Sequence, residues 1–522
     1  MNESTPRARS RRSGGRQAKM AVRAAPLTEE ARAVRPGMNG GTYKPLSEDD
    51  IRHIHLSALK ALEEIGLSEA PESGIEAMTG AGAELGDDGR LRFPRAMVED
   101  MVKKAGRNIT LHGQDEKHDL QVGGTRVHFG TGGAAVHVVD PLNREYHDST
   151  LKDLYLAARL AETLDNIHFF QRPMVARDME SGRDLDINTV YACISGTAKH
   201  IGTSFISPEN VNLALKMLHA VAGGEDDWRR RPFVSNSNCF VVPPFKFATE
   251  SCEVMEACIL GGFPVLLLSA GQAGATAPPA LAGAITQAVA ECLAGVVYVN
   301  SVKPGHPAIF GTWPFVSDLR TGAMSGGSGE QALLTAACAQ MAHFYDLPGG
   351  SASGMADSKL PDIQAGYEKG LSAGMAGLSG MNMIYESAGM HASLLGFCLE
   401  TMIIDNDMLG QSMRCVRGIE VNDETLSIET MRQVCLEGPG HYLGHAQTLK
   451  LMESEYFYPS FGDRTSPKEW QELGRPDLVR RAYDEKRRVR DTFFPSHISG
   501  ETDEVIRSLV DIKLPRRDMQ ET

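Results

Sequence analysis

The chain has 522 residues, of which 42% are apolar, 23% are charged and 53 are glycine, which excludes a disordered or fibrous protein and reads as one large domain with an appendage. Its formal net charge of -14 argues against a nucleic-acid surface on the main body. Nine cysteines without a C-x-x-C pair argue against a zinc cluster or a secreted disulfide framework and point to a reducing cytoplasm.

Residues 1–40 contain "PRARSRRSGGRQAKMAVRAAP", arginine-rich and without periodic apolar positions, the pattern of a disordered basic tail with no secretory core segment. "SEDDIRHIHLSALKALEEIGL" (47–67) opens on Ser47 and two aspartates and continues with apolar residues at helical spacing, which predicts an amphipathic helix. "LQVGGTRVHFGTGGAAVHVVD" (120–140) alternates around glycine turns and predicts a hairpin or small sheet. Residues 41–150 thus read as an N-terminal helix and β-hairpin cap.

From residue 150 a unit repeats in which a helix precedes a short apolar strand ending in small polar residues. The strands are "IHFFQRP", "HIGTSFIS", "PFVSNSNCF", "PVLLLSAG", "PAIFGTW", "LPGGSASG" and "MNMIYES", with "TMIID" a poorer eighth. The predicted helices between them are 151–164, 209–221, 249–261, 279–298, 329–344 and 364–378. Such alternation specifies a parallel α/β sheet with crossover helices, and eight units close into a TIM (β/α)8 barrel over 151–500, followed by a C-terminal tail, 501–522; an open doubly wound sheet is the alternative. The charge-free stretch 257–290 is divided by Pro264, Pro278, Pro279 and several glycines into a strand, a turn and a helix, so no membrane span is expected.

In a barrel the working residues lie at the C-terminal strand ends. Those positions hold Gln171, Arg172, Ser204, Asn236, Asn238, Gln272, Thr312, Trp313, the stretch 351–359, Tyr385 and Glu386. Phosphate-loop, dinucleotide, zincin and serine-hydrolase motifs are absent. "GGSGEQALL" (326–334) offers backbone N–H groups to an anion or is simply a flexible loop entering a helix. "GHYLGH" places His441 and His445 four residues apart, yet its glycines and Pro439 favour a turn, and no metal is expected there. Phe129, Trp313 and Tyr385 fall at predicted mouths, and aromatic faces with a carboxylate suit a quaternary or tertiary ammonium.

The stretches "AGQAGATAPPALAGAITQAVAECLAG", "MSGGSGEQALLTAACAQMAHFYDLP", "DSKLPDIQAGYEK", "GPGHYLGHAQTLKLMESEYFYPSFGDR" and "GRPDLVRRAYDEK" resemble, in the same order over residues 45–495, the trimethylamine methyltransferase family. The resemblance implies a TIM barrel that passes a methyl group from a methylated amine to the cobalt of a separate corrinoid protein. Archaeal members acting on trimethylamine carry pyrrolysine in the region matching "DSKLPD", near Leu360; this chain has only the standard residues, and members without pyrrolysine are similar to betaine and carnitine demethylases. The corrinoid-binding signature D-x-H-x-x-G is absent, so cobalamin is expected on a partner, with no tightly bound cofactor and no metal in this chain.

The expected site holds a cation between an aromatic face and Glu386. Glu386 and His391 are the catalytic candidates, and Phe129, Gln171, Asn236, Trp313, Leu360 and Tyr385 the substrate-binding ones. The expected partners are a small quaternary amine, a corrinoid protein and further copies of the chain, without nucleic acid or membrane. Trimethylamine demethylation, a metal-dependent barrel lyase or hydrolase and a non-catalytic betaine-binding protein are the rival readings.

Overall fold

The structure is a computed structural model and describes residues 32–521. The expected disordered tail lies mostly outside the described residues.

Eight parallel strands form the centre: β1 (Arg126–Phe129), β2 (Phe170–Gln171), β3 (Ile201–Thr203), β4 (Val234–Asn238), β5 (Val265–Ser269), β6 (Ala308–Thr312), β7 (Gly349–Ala352) and β8 (Met383–Tyr385). Each pairs in parallel with the next, from Phe170 with Ile201 to Gly350 with Met383. β8 then pairs with β1, Met383 with His128, and a bridge from Gly130 to Phe169 with His168 N–H donating to Phe129 O closes the ring. A helix follows every strand: α1 (Leu151–Glu162), α2 (Gly182–Gly196), α3 (Pro208–Ala222), α4 (Thr249–Gly261), α5 (Leu281–Val302), α6 (Gly329–Tyr345), α7 (Ile363–Ser379) and α8 (Leu399–Arg417). This is a TIM (β/α)8 barrel.

Local chemistry explains the helix ends. Thr150 and Asp153 form a capping box at α1, Asp362 caps α7 by accepting from Ala365 N–H, and left-handed Gly262 and Gly380 end α4 and α7. α5 is long and apolar enough to cross a membrane, but 83% of its most apolar window is buried inside the protein, where it serves as a core helix.

Three expectations are corrected. The eighth strand is not "TMIID", which lies inside α8, but "RVHF" at 126–129, so the barrel begins before residue 151. The stretch 120–140 does not pair with itself: Leu120–Val122 pairs with Ile109–Leu111, and His137–Asp140 with Glu145–Asp148. Period-two alternation announces a strand but does not name its partner. Residues 501–522 are also more than a tail. The helix Gly500–Leu509 brings Asp503 to the Tyr191 hydroxyl on α2, and Arg507 Nη2 donates to the same oxygen at 3.2 Å.

Among the described residues the barrel unit comprises Pro36–Glu420 and 458–521, and Val421–Phe457 belongs to a separate compact unit. In the latter, His445 caps the short helix Ala446–Leu451, its Nδ1 accepting from Gln447 N–H at 3.2 Å, so "GHYLGH" is a turn that enters a helix.

Candidate active site

The lumen of the barrel is filled from residues that alternate along each strand. A Cβ at Gly350 would lie 2.8 Å from Ile309, 3.2 Å from Leu266 and 3.2 Å from the Tyr385 ring, so these side chains meet inside. The Tyr385 ring packs edge-on to Phe169 at 5.0 Å between centroids and tilted against Trp313 at 5.3 Å, joining three rings from β8, the start of β2 and the end of β6. All three rings are buried, and the Trp313 Nε1–H finds no acceptor among the described residues.

Glu386 follows Tyr385 directly, in left-handed backbone (φ 64°) and 2% exposed. Its conformation is enforced from both sides. Ser387 N–H donates to Gly130 O at 3.0 Å, Ser387 Oγ to Ser353 O at 3.0 Å, and Ser353 N–H to Tyr385 O at 3.0 Å. A side chain at 132 would come within 3.0 Å of Glu386 N and 3.2 Å of its Cγ, so anything larger than glycine would have to push Glu386 aside. Oε2 has no hydrogen-bond partner among the described residues. Burial pushes the carboxyl up to about 8, opposed only in part by the charge of Lys369.

Lys369 and Asp405 form a buried ion pair at 3.0 Å. The Lys369 ammonium also donates to Gly354 O at 2.7 Å, while Asp405 Oδ2 accepts from Gly389 N–H at 2.7 Å. One pair thus ties the loop after β7 to the loop after β8, which Glu386 begins. The neighbouring carboxylates do similar work. Asp357 accepts from Gly326 N–H at 2.8 Å and Ser325 Oγ at 3.0 Å, and Glu368 Oε2 accepts from Asp357 N–H at 2.8 Å. The "GGSG" loop therefore meets an anion, but one supplied by the protein itself.

The structure separates the residues expected from sequence. Tyr385, Trp313 and Glu386 lie together at the lumen. Gln171 shares a strand face with Phe169, and its Oε1 stands 1.6 Å from where a Cβ of Gly202 would be, taking the space that this glycine vacates. Phe129 is corrected: its ring lies 3.2 Å from the Cβ position of Gly377 on α7, in the layer between barrel and helices. Asn236 is corrected likewise, because Asn238 on the same face of β4 donates to Ser251 O of α4, so this face looks outward. His391 has both ring nitrogens engaged, Nδ1 with Ser358 O at 3.1 Å and Nε2 with Thr401 Oγ1 at 2.8 Å, and burial pushes its pKa down to about 3. It pins the mouth loop as a neutral imidazole and has no nitrogen left for a substrate. Leu360 sits half-buried in that loop, its carbonyl accepting from Asp362 N–H at 2.8 Å.

Phe169, Lys369 and Asp405 escaped the sequence reading. Phe169 was accessible in principle, since it shares the inward face with Gln171 two residues on. The pairing of Lys369 with Asp405, 36 positions away in the chain, carries no local signal. Among the described residues no group of three His, Cys, Asp or Glu side chains is placed to share a metal ion.

The sequence profile of the trimethylamine methyltransferase family matches residues 12–516. The chain is 30% identical over 466 residues to a trimethylamine methyltransferase of Desulfitobacterium hafniense, covering 89% of this chain and 93% of that one. It is 29% identical over 474 residues to a glycine betaine methyltransferase of the same species, covering 90% and 96%, and 30% identical over 455 residues to a trimethylamine methyltransferase of Methanosarcina barkeri, covering 86% and 90%. A match of this extent, on a TIM barrel whose lumen holds a buried carboxylate among aromatic rings, makes the chain a member of the trimethylamine methyltransferase family.

Proposed function

We propose that the protein removes one methyl group from a quaternary amine with a polar or anionic tail and delivers it to a corrinoid protein. The observation that carries this reading is the buried, unpartnered carboxylate of Glu386 next to the Tyr385, Trp313 and Phe169 rings. A quaternary ammonium has no N–H to donate, so it is held by ring faces and by a negative charge that compensates for lost water. The unpaired Trp313 Nε1–H, with the Gln171 amide, gives the tail its donors. The resemblance implies that pyrrolysine-containing members differ in the region of "DSKLPD", near Leu360, and a chain of standard residues there favours a quaternary amine over trimethylamine.

The partner's corrinoid supplies a Co(I) centre as methyl acceptor. The C–N bond breaks with its electron pair remaining on nitrogen, and the departing tertiary amine is neutral, so no residue must protonate it. The chain's task is to orient: Glu386 and the rings fix the ammonium, the tail donors set its direction, and the pinned loops exclude water so that one methyl points out of the barrel. All nine cysteines are free, the state that a reducing cytoplasm maintains.

The test mixes the protein with reduced cobalamin and a panel of glycine betaine, proline betaine, carnitine, tetramethylammonium and trimethylamine. Loss of the Co(I) absorbance with a quaternary amine, and release of the amine bearing one methyl fewer, is the expected result. No loss with any of them overturns the proposal. Stoichiometric zinc would point to the lyase or hydrolase reading, and tight binding without methyl loss to a binding protein.

A further inference from the structure

α7 is amphipathic the wrong way round. Its charged residues, Glu368 and Lys369, are buried against the mouth loops, while Ile363, Tyr367 and Leu371 are 89%, 62% and 51% exposed. No charged side chain of α7 reaches solvent over 17 residues, about 25 Å of helix. The outer helices α3 and α4 behave normally, with Glu209 and Lys216 exposed on α3 and Glu250 and Glu253 on α4. An apolar face of this length, on a chain otherwise well supplied with charge, marks an interaction surface.

Its relief is regular. Ile363, Tyr367 and Leu371 form a ridge at intervals of four residues. Beside it Gly366, Gly370 and Gly374 form a furrow with the same interval, each with open space where a side chain would be. Two such helices crossing at about -50° interlock ridge into furrow, and a two-fold axis lets each copy supply both halves. The face itself carries no charge, so two copies of a chain at -14 can meet there without like charges in contact. We infer that α7 is the centre of a two-fold interface with a second copy of this chain, the Ile363–Tyr367–Leu371 ridge of each entering the Gly366–Gly370–Gly374 furrow of the other.

The full-length protein in sedimentation velocity should run at no less than twice its 56.6 kDa at micromolar concentration. Gly370→Glu and Tyr367→Glu should lower that mass by half or more without changing the thermal midpoint. Gly370→Cys, close to the axis, should give a disulfide-linked pair under mild oxidation, whereas wild type and Lys216→Cys should not. A monomeric wild type overturns the inference. So does an oligomer whose mass both glutamate variants leave unchanged, or one that Gly370→Cys fails to cross-link.

Discussion

Glu386→Gln is expected to weaken binding of a quaternary amine by about 1–3 kcal/mol, roughly five- to 150-fold in Kd, without lowering the thermal midpoint. The side chain is already buried, and Oε2 makes no hydrogen bond that the amide would lose. The glutamine keeps the shape but supplies only a dipole where the ammonium needs a charge. Calorimetric titration with glycine betaine and tetramethylammonium, alongside a thermal melt, checks both halves. A variant that melts early while its folded fraction binds normally would make Glu386 a structural residue.

Lys369→Met should cost about 3–5 kcal/mol of stability, the usual loss when one partner of a buried ion pair is removed. Asp405 would remain buried without its counter-ion, and Gly354 O would lose its donor. Adding Asp405→Asn should restore part of the loss, because the stranded charge then disappears while Gly389 keeps an acceptor. Urea unfolding of the three proteins gives the comparison. A single variant within 1 kcal/mol of wild type, or a double variant less stable than the single, would contradict the assignment of the pair as the clamp on the two loops. Because Glu386 begins the second of those loops, the single variant should also bind the amine more weakly.

Much of the barrel was legible because each strand–helix unit repeats the same local pattern; the observed bounds of α1, α3, α4, α6 and α7 differ from the expected ones by at most two residues. β1 was hidden because its alternation is equally that of a hairpin, and its partners, β8 and the residues before β2, are remote in sequence. Within the site, proximity to a strand end was readable but direction was not. Phe129 and Asn236 sit at the right height and face the helix layer, and Tyr385 faces the lumen; a shift of one residue in register would exchange these roles. The crowd of charge in "DSKLPDIQAGYEK" takes its meaning only from the fold, where Asp357, Glu368 and Lys369 turn inward to hold glycine loops and α7 shows its apolar side to solvent.

The charge of Glu386 can be observed directly. With its carboxyl pushed up to about 8, the ligand-free protein keeps that proton at pH 7. An unfolded chain would release it above about 4.5, so the residue lowers stability progressively from about pH 4.5 to about 8. A bound cation reverses the preference, so binding at pH 7 must expel the proton, and affinity should rise about tenfold per pH unit before levelling off above 8. Calorimetric titration with tetramethylammonium, which has no proton of its own, at pH 7 in buffers of different ionisation enthalpy counts protons released per cation. The account predicts close to one proton for wild type and none for Glu386→Gln. Binding without proton release, or equal release by both proteins, would contradict it.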